Sequence, residues 1–186
     1  MRIIAGEWRG RNLAAPKGDA TRPTADRTRE SLFSMLTSRL GSFEDLQVAD
    51  LFAGSGALGL EALSRGAGHC LFVEQDRAAC DTIRANVGTL GAQSRCTLET
   101  TSVMHLRPAK KPYDLMLLDP PYHTGAGAVA LDRLLRLGWI GPATWMAVET
   151  SAKEDVVIEG LDIDTERRIG KGKLSLLRLS SDPKGT

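Results

Sequence analysis

The sequence contains few cysteines, few aromatic residues and no long apolar run. Its three cysteines, Cys70, Cys80 and Cys96, are odd in number and lack C-x-x-C spacing, so neither a disulfide framework nor a zinc site is predicted. No stretch approaches the roughly 18 consecutive apolar residues that span a bilayer, and the N-terminus lacks the apolar core of a signal peptide. We therefore expect a soluble, cytoplasmic protein with no metal centre and no membrane contact.

The size and charge of the chain limit its organisation and its partners. With 186 residues, 42% of them hydrophobic, it can bury one sizeable core but not two full domains. The net charge is only +1, yet residues 1–29 and 166–178 are both rich in Lys and Arg. If these two regions share one face, they would form a phosphate-binding surface. Chance clustering of charges on a solvated surface would produce the same pattern.

An apolar run at residues 48–52 leads directly into Gly54, Gly56 and Gly59, which have G-x-G-x-x-G spacing. Without a Cβ, the backbone can turn sharply and bring its N–H groups close to a ligand. A second apolar run ends in Glu74, at the position where a carboxylate accepts hydrogen bonds from ribose hydroxyls in such folds. These patterns predict a strand, a tight turn and a helix that bind a nucleotide-like ligand.

Strand and helix patterns alternate from residue 48 onward, which predicts an α/β fold with a doubly wound, mostly parallel sheet. The predicted strands are 48–52, 70–74, 95–99, 114–118 and 145–149, and the predicted helices are 57–65, 77–90, 126–138 and a short one near 103–107. Residues 162–168 and 173–179 add an antiparallel C-terminal hairpin, which brings the number of strands to seven.

The segment before this alternation is predicted to be a hairpin or arm followed by a helix. Residues 2–13 contain a strand-like run and a glycine-containing turn. We expect Thr24 or Asp26 to cap the following helix, which would place Arg22 at a helix N-terminus suited to anions. Trp8 has two interpretations, stacking on a base or pinning the arm to the domain.

The most specific chemical signal is the tetrapeptide Asp119-Pro120-Pro121-Tyr122, which follows the apolar strand 114–118. A buried parallel strand would deliver Asp119 to the edge of the sheet where ligands bind, and the two prolines stiffen the backbone that follows. The Asp119 carboxylate and the Pro120 carbonyl can hold the two N–H groups of a planar exocyclic amine. This redirects the nitrogen lone pair towards an electrophile while Tyr122 stacks on the base.

This tetrapeptide resembles the amine-methylating motif of class I S-adenosylmethionine-dependent methyltransferases, which have a Rossmann-like fold, and the glycine stretch resembles their first motif. Residues 1–11, 21–33 and 50–56 resemble the bacterial family that methylates N2 of a guanine in 16S ribosomal RNA. The resemblance covers nearly the whole chain. The string R-P-T-x-D-R-x-R-E-S-L-F, at residues 22–33, is not shared by methyltransferases in general.

The resemblance implies S-adenosylmethionine as cofactor, S-adenosylhomocysteine as product, no metal, and 16S ribosomal RNA or a small-subunit particle as partner. It further implies an RNA-contacting extension at residues 1–44 and a methyltransferase domain at 45–186, in a chain that we expect to be monomeric. Asp50 and the glycine turn would hold the methionine end of the cofactor. Family members commonly carry an acidic or amide residue for the adenine amino group where this chain has Ser102.

Three sets of site residues follow. The predicted catalytic residues are Asp119, Pro120, Pro121 and Tyr122. The predicted cofactor contacts are Asp50, Phe52, Ala53, Gly54, Ser55, Gly56, Glu74, Gln75, Ser102 and Asp119. The predicted RNA contacts are Arg9, Arg11, Arg22, Thr24, Arg27, Tyr122 and His123.

Three other functions share some of these features. An NAD-dependent oxidoreductase would also have the glycine turn and Glu74, but it needs a substrate domain for which this chain has no room. A methyltransferase acting on DNA adenine N6 or protein glutamine N5 would use the same tetrapeptide. A non-enzymatic RNA-binding module would leave the pattern from Asp119 to Tyr122 without a role.

Overall fold

The protein is described by a computed structural model that covers residues 1–17 and 23–181. The chain forms two compact units, residues 1–103 and residues 104–186. The boundary predicted between residues 44 and 45 stays a prediction. Among the described residues, no helix combines the length and apolar character that a membrane crossing needs.

The first unit carries a three-stranded parallel sheet with helices between its strands. Its elements are α1 (Pro23–Leu40), β1 (Gln47–Leu51), α2 (Ala57–Ser64), β2 (His69–Val73), α3 (Arg77–Leu90) and β3 (Cys96–Glu99). The strand β2 lies between β1 and β3 and is parallel to both. Parallel strands need crossover connections, and α2 and α3 supply them.

The close packing of α2 on β2 depends on Gly59. A Cβ added at this position would lie 2.5 Å from Phe72 Cε1 and 2.6 Å from Cys70 Sγ. Such distances are well inside van der Waals contact, so only glycine lets the helix approach the strand this closely. The glycine that ends the G-x-G-x-x-G pattern therefore serves packing rather than the turn.

The second unit combines a parallel strand pair with an antiparallel hairpin. Its elements are β4 (Leu115–Leu118), α4 (Ala126–Arg136), β5 (Trp145–Ser151), β6 (Leu161–Ile169) and β7 (Gly172–Leu179). Within this unit the strand order is β4-β5-β7-β6, with β4 parallel to β5 and with β7 antiparallel to both of its neighbours. All four residues of β4 are buried, as expected for a strand of a parallel sheet that is covered on both faces.

The predicted α/β class, the seven strands and the C-terminal hairpin are confirmed in the described residues. One local prediction is wrong. Neither Thr24 nor Asp26 caps α1, because the helix already begins at Pro23, and proline suits the first helical position, where no N–H partner is needed. The short helix expected near 103–107 is present as a single 3-10 turn, Val103–His105.

Candidate functional site

The glycine turn follows β1 and has an unusual backbone. Gly54 and Gly56 have φ values of 58° and 81°, and Phe52 shares this left-handed region with a φ of 58°. A bulky residue in this conformation costs on the order of 1–3 kcal/mol, and such strain clusters at functional sites. The sequence pattern predicted the turn, but it did not indicate that Phe52 would adopt a glycine-like conformation.

Glu74 lies beside this turn, as predicted. Its Oε2 accepts a hydrogen bond of 2.8 Å from the Gly54 N–H, and its Oε1 accepts one of 2.9 Å from the Asp76 N–H. Each carboxylate oxygen has a second lone pair, so both can still accept hydroxyl donors. The structure thus brings Gly54 and Glu74 together at the ends of β1 and β2, where ligands bind in such sheets.

Asp50 is buried beneath the turn, with 1% of its surface exposed. Its Oδ2 accepts a hydrogen bond of 2.9 Å from the Gly59 N–H, near the start of α2, where backbone donors lack partners within the helix. Asp50 therefore has a structural role in holding α2 against the turn. Its predicted contact with a cofactor stays a prediction.

The remaining predicted cofactor residues of the first unit surround this turn or follow the neighbouring strands. Ser55 is half-buried and Ala53 is buried, while Gln75 is exposed directly after Glu74. Ser102 is half-buried and follows β3. These positions agree with a site at the carboxyl ends of the strands, and the individual contacts stay predictions.

Asn86 connects the glycine turn to the N-terminal segment. This buried side chain on α3 donates hydrogen bonds to the carbonyls of Ser55, at 2.9 Å, and Ala14, at 3.0 Å. Its Oδ1 accepts a third bond, of 2.8 Å, from the Ala14 N–H. Sequence reasoning missed Asn86, because an isolated asparagine in a helix indicates no particular partner.

We call residues 1–14 the N-terminal arm. It folds back on itself as a loose hairpin with one bridge, Arg2 to Asn12. Trp8 is 8% exposed, and the Arg95 guanidinium lies 5.3 Å from its ring centre. Trp8 therefore pins the arm to the first unit, which decides against base stacking.

The predicted RNA contacts in the first unit differ in how exposed they are. Arg9, Arg11 and Arg27 are exposed, and Arg11 also donates a hydrogen bond of 2.8 Å to the Thr89 carbonyl. Arg22 and the side chain of Thr24 lie outside the described residues. In contrast, Arg29 from the same basic region is buried, and its Nη2 donates to the Arg2 carbonyl and to Asp26.

In the second unit, Asp119 follows the buried strand β4 and is exposed, while Pro120 is buried and Pro121 is exposed. Tyr122 is 39% exposed, and its hydroxyl donates a hydrogen bond of 2.6 Å to Glu149 Oε1. Burial and this hydrogen bond raise the pKa of the Tyr122 phenol well above its usual value. The hydroxyl therefore stays protonated and can keep its hydrogen bond to Glu149, while the ring remains partly exposed at the surface.

The residues after Tyr122 form a tight loop that leads into α4. His123 is exposed with a φ of 62°, and Gly125, just before α4, has a φ of 67°. The Thr124 hydroxyl donates a hydrogen bond of 2.7 Å to the Pro121 carbonyl and accepts one of 3.2 Å from the Ala126 N–H. The predicted display of a carboxylate, a prolyl carbonyl and a ring thus rests on a well-connected loop.

Two glutamates that sequence reasoning missed support this loop. Glu149, on β5, accepts the Tyr122 hydroxyl. Backbone N–H groups lower the pKa of Glu154; that of His123 has the largest effect, followed by that of Ser151, which donates to Glu154 Oε2 at 2.9 Å. The sequence does contain a signal for Glu149, because it directly follows the apolar run 145–148 in a predicted strand. A carboxylate in a largely buried strand needs a hydrogen-bond partner.

The basic C-terminal region has fewer exposed cations than its composition suggests. Lys173 is buried and pairs with Asp155 at 3.2 Å and Glu166 at 3.6 Å. The Arg178 guanidinium lies 4.3 Å from the centre of the Trp145 ring. The exposed cations of this region are Arg167, Arg168 and Lys171. Within the described ranges 1–17 and 23–181, no three His, Cys, Asp or Glu side chains are grouped so that they could hold a metal ion.

Comparison with known proteins identifies the family. A family model described as "Conserved hypothetical protein 95" matches residues 1–178. The Escherichia coli K12 protein named ribosomal RNA small subunit methyltransferase D is 37% identical over 153 residues, which are 82% of this chain and 76% of that relative. The chain belongs to this ribosomal RNA methyltransferase family.

Solved structures extend the likeness to nearly the whole length of this chain. The structure of yhhF from Escherichia coli is 31% identical, has a TM-score of 0.83, and the match covers 98% of this chain and 99% of that one. A magnesium protoporphyrin IX methyltransferase from Synechocystis, solved with bound S-adenosylmethionine, shares the fold at a TM-score of 0.64 and 16% identity, over 87% of this chain and 86% of that one. The predicted Rossmann-like methyltransferase fold is therefore confirmed.

Proposed function

We propose that this methyltransferase transfers a methyl group from S-adenosylmethionine to the exocyclic N2 amine of a guanine in 16S ribosomal RNA. The name of the Escherichia coli relative, ribosomal RNA small subunit methyltransferase D, supports the small-subunit RNA as substrate. The choice of guanine N2 rests on the family resemblance of residues 22–33. The observation that carries the chemistry is an exposed Asp119 at the end of a fully buried strand, followed by two prolines and a tethered Tyr122.

The cofactor is proposed to bind at the glycine turn of the first unit. Gly54 and Gly56 bring backbone close to a ligand without steric cost from a Cβ, and Glu74 lies beside them, ready to accept ribose hydroxyls. The Synechocystis methyltransferase of the same fold was solved with this cofactor. Because Ser102 replaces the acidic or amide residue common in the family, we propose that its hydroxyl or a nearby backbone carbonyl recognises the adenine.

The target amine is proposed to bind at Asp119 and Pro120. The Asp119 carboxylate and the Pro120 carbonyl would accept its two N–H groups, and Tyr122 would stack on the base. Bound S-adenosylmethionine would supply an activated methyl group, to which the nitrogen lone pair would bond as the carbon–sulfur bond breaks, with a neutral thioether as the leaving group. The amine gains acidity as the methyl group arrives, so Asp119 or water can take the released proton without being a strong base.

RNA binding is proposed to involve exposed cations around residues 9–27 together with His123. Arg9, Arg11 and Arg27 supply charges that phosphates can neutralise, and Arg22 and Thr24 are proposed to join them. The reaction needs no metal, because the sulfonium is already an activated electrophile. A monomeric chain in the cytoplasm is part of the same proposal.

The test is methyl transfer to small ribosomal subunits purified from cells that lack this protein, followed by mapping of the modified base. Replacing Asp119 with Ala should lower the rate at least about a hundredfold, the loss typical when one key polar group of a site is removed. Cofactor binding measured by calorimetry should persist, because Asp119 is only one of ten predicted cofactor contacts. Asp81→Ala, an exposed change on α3, is the matched control.

Three results would count against the proposal. Unchanged transfer by Asp119→Ala with intact cofactor binding would remove Asp119 from the site. Binding of a nicotinamide dinucleotide in place of S-adenosylmethionine would indicate an oxidoreductase. Preferred labelling of DNA or protein over ribosomal particles would assign the acceptor to adenine N6 or glutamine N5.

A further inference from the structure

The hydroxyl of Tyr122 is held by a carboxylate that neither the D-P-P-Y tetrapeptide nor the glycine turn contains. Glu149, half-buried on β5, accepts this hydroxyl at 2.6 Å. A distance this short is typical of a charge-assisted O–H···O⁻ bond, which is stronger and more directional than a neutral one. A tyrosine ring with a free hydroxyl can swing about two side-chain torsions, whereas a tethered ring keeps one orientation.

The start of β7 closes the space beside this hydrogen bond. A Cβ added at Gly172 would lie 2.7 Å from the Tyr122 hydroxyl oxygen and 3.4 Å from Glu149 Oε1. Gly172 pairs with Ser151 in the β5–β7 register, and Glu149 pairs with Leu174. The tyrosine hydroxyl is therefore enclosed by a side chain from β5 and by bare backbone from β7, and any larger residue at Gly172 would displace it.

A second carboxylate lies beside the same loop. The Ser151 N–H donates a hydrogen bond of 2.9 Å to Glu154 Oε2, and the backbone N–H groups of His123, Ser151 and Gly125 lower the pKa of Glu154. The loop after Tyr122 is thus tethered by Glu149 through the ring hydroxyl, and the Glu154 carboxylate attracts the backbone N–H groups next to it. Preorganisation of this kind lowers the ordering cost when a base binds.

We propose that Glu149 is a positioning residue that, together with Gly172, fixes the Tyr122 ring in the orientation that stacks on the target base. This inference rests on the proposed function, because it concerns the same acceptor loop. Glu149 does not touch the reacting atoms in this account; it acts through the tyrosine hydroxyl. Losing the tether lets the base sample misaligned poses, and small misplacements of the reacting groups can cost up to about a hundredfold in rate.

Three variants separate positioning from simple stabilisation of the loop. Glu149→Ala removes the acceptor, Tyr122→Phe removes the donor but keeps the ring, and Glu149→Gln keeps an amide oxygen that can accept the hydroxyl. We expect Glu149→Ala and Tyr122→Phe to lower kcat for methyl transfer to unmodified small subunits by a similar factor, about 10- to 100-fold. The double variant should be no slower than either single one, because both remove the same bond. Glu149→Gln should recover much of the rate.

The controls define the outcomes that matter. Glu159→Gln, an exposed change in the same unit, should retain the full rate. All variants should bind S-adenosylmethionine with unchanged affinity in calorimetry. A wild-type rate for Glu149→Ala, strictly multiplicative losses in the double variant, or an equal fall in cofactor affinity would each overturn the positioning role.

Asp119→Ala measured alongside separates the two proposals. If Asp119→Ala is inactive and the Glu149 variants behave like wild type, only the positioning role fails. If Asp119→Ala keeps full transfer activity, the proposed function itself fails. Should Glu149→Ala not fold, Tyr122→Phe and Glu149→Gln still decide the question.

Discussion

The attachment of the N-terminal arm allows a sharp prediction at Glu61. This glutamate on α2 is completely buried. Its Oε2 accepts a bond of 2.9 Å from the Ile4 N–H, and its Oε1 accepts bonds of 3.0 Å from the Ala5 N–H and from Arg65 Nε. One carboxylate therefore satisfies two backbone donors of the arm and one guanidinium of its own helix.

Glu61→Gln changes almost no volume but removes one acceptor and the negative charge. The NH₂ group of the new side chain would then face an N–H donor that the carboxylate had accepted. This leaves a buried donor unpaired, at a cost of about 1–3 kcal/mol. The charged bond to Arg65 is also weakened. Burial lowers the pKa of Arg29, and the nearby Glu61 carboxylate partly offsets this effect. The substitution removes that compensating negative charge as well. Together we expect a loss of about 2–4 kcal/mol, from a total stability that is typically about 5–15 kcal/mol.

Urea unfolding provides the measurement. With a slope of about 2 kcal/mol per molar urea, the midpoint of Glu61→Gln should fall by about 1–2 M at an unchanged slope. Limited proteolysis should cut the variant faster within residues 1–14, because the attachment of the arm to this side chain is weakened. The matched control is Glu30→Gln, an exposed change on α1, which should stay within about 0.5 kcal/mol of wild type. A Glu61→Gln midpoint equal to that of the control would refute this account of the arm.

Two further predictions concern packing and thiol chemistry in the first unit. Gly59→Ala should destabilise the protein by about 1–3 kcal/mol in the same urea assay, because the new methyl group overlaps Phe72 and overpacked cores cost this much. Gly88→Ala, where an added Cβ meets nothing within 4 Å, should be neutral or slightly stabilising, and equal behaviour of the two variants would contradict the packing argument. Burial raises the pKa of the Cys96 thiol to about 11, so its alkylation rate should rise roughly tenfold per pH unit from pH 8 towards pH 11. Mass-spectrometric labelling at pH 8 as fast as that of a small free thiol would show that this pKa is not raised.

The predictions from sequence succeeded where the pattern is local. A run of apolar residues ending in spaced glycines predicted the turn at Gly54 and Gly56, because only glycine tolerates that backbone cheaply. The antiparallel hairpin of β6 and β7 was likewise predicted, from two strand-like runs on either side of a glycine-containing turn. The apolar run before Asp119 likewise predicted a buried strand, and β4 is fully buried with an exposed Asp119 directly after it.

The prediction failed where charge was counted without knowing burial. Arg29 and Lys173 were included in two basic regions, yet both are buried and paired. Composition measures how many cations a segment carries, whereas the tertiary contacts determine which of them reach solvent and can meet a phosphate.

Local sequence was enough to predict the order and type of the elements, the glycine turn and the D-P-P-Y tetrapeptide, since each depends on neighbouring residues and on backbone sterics. The partners of these elements became known from the three-dimensional fold. Glu61 holds Ile4, Asn86 joins Ala14 to Ser55, and Glu149 tethers Tyr122. These pairs are far apart in the chain. Because a hydrogen bond depends on distance and angle in space, no local pattern indicates which donor a buried carboxylate or amide will meet.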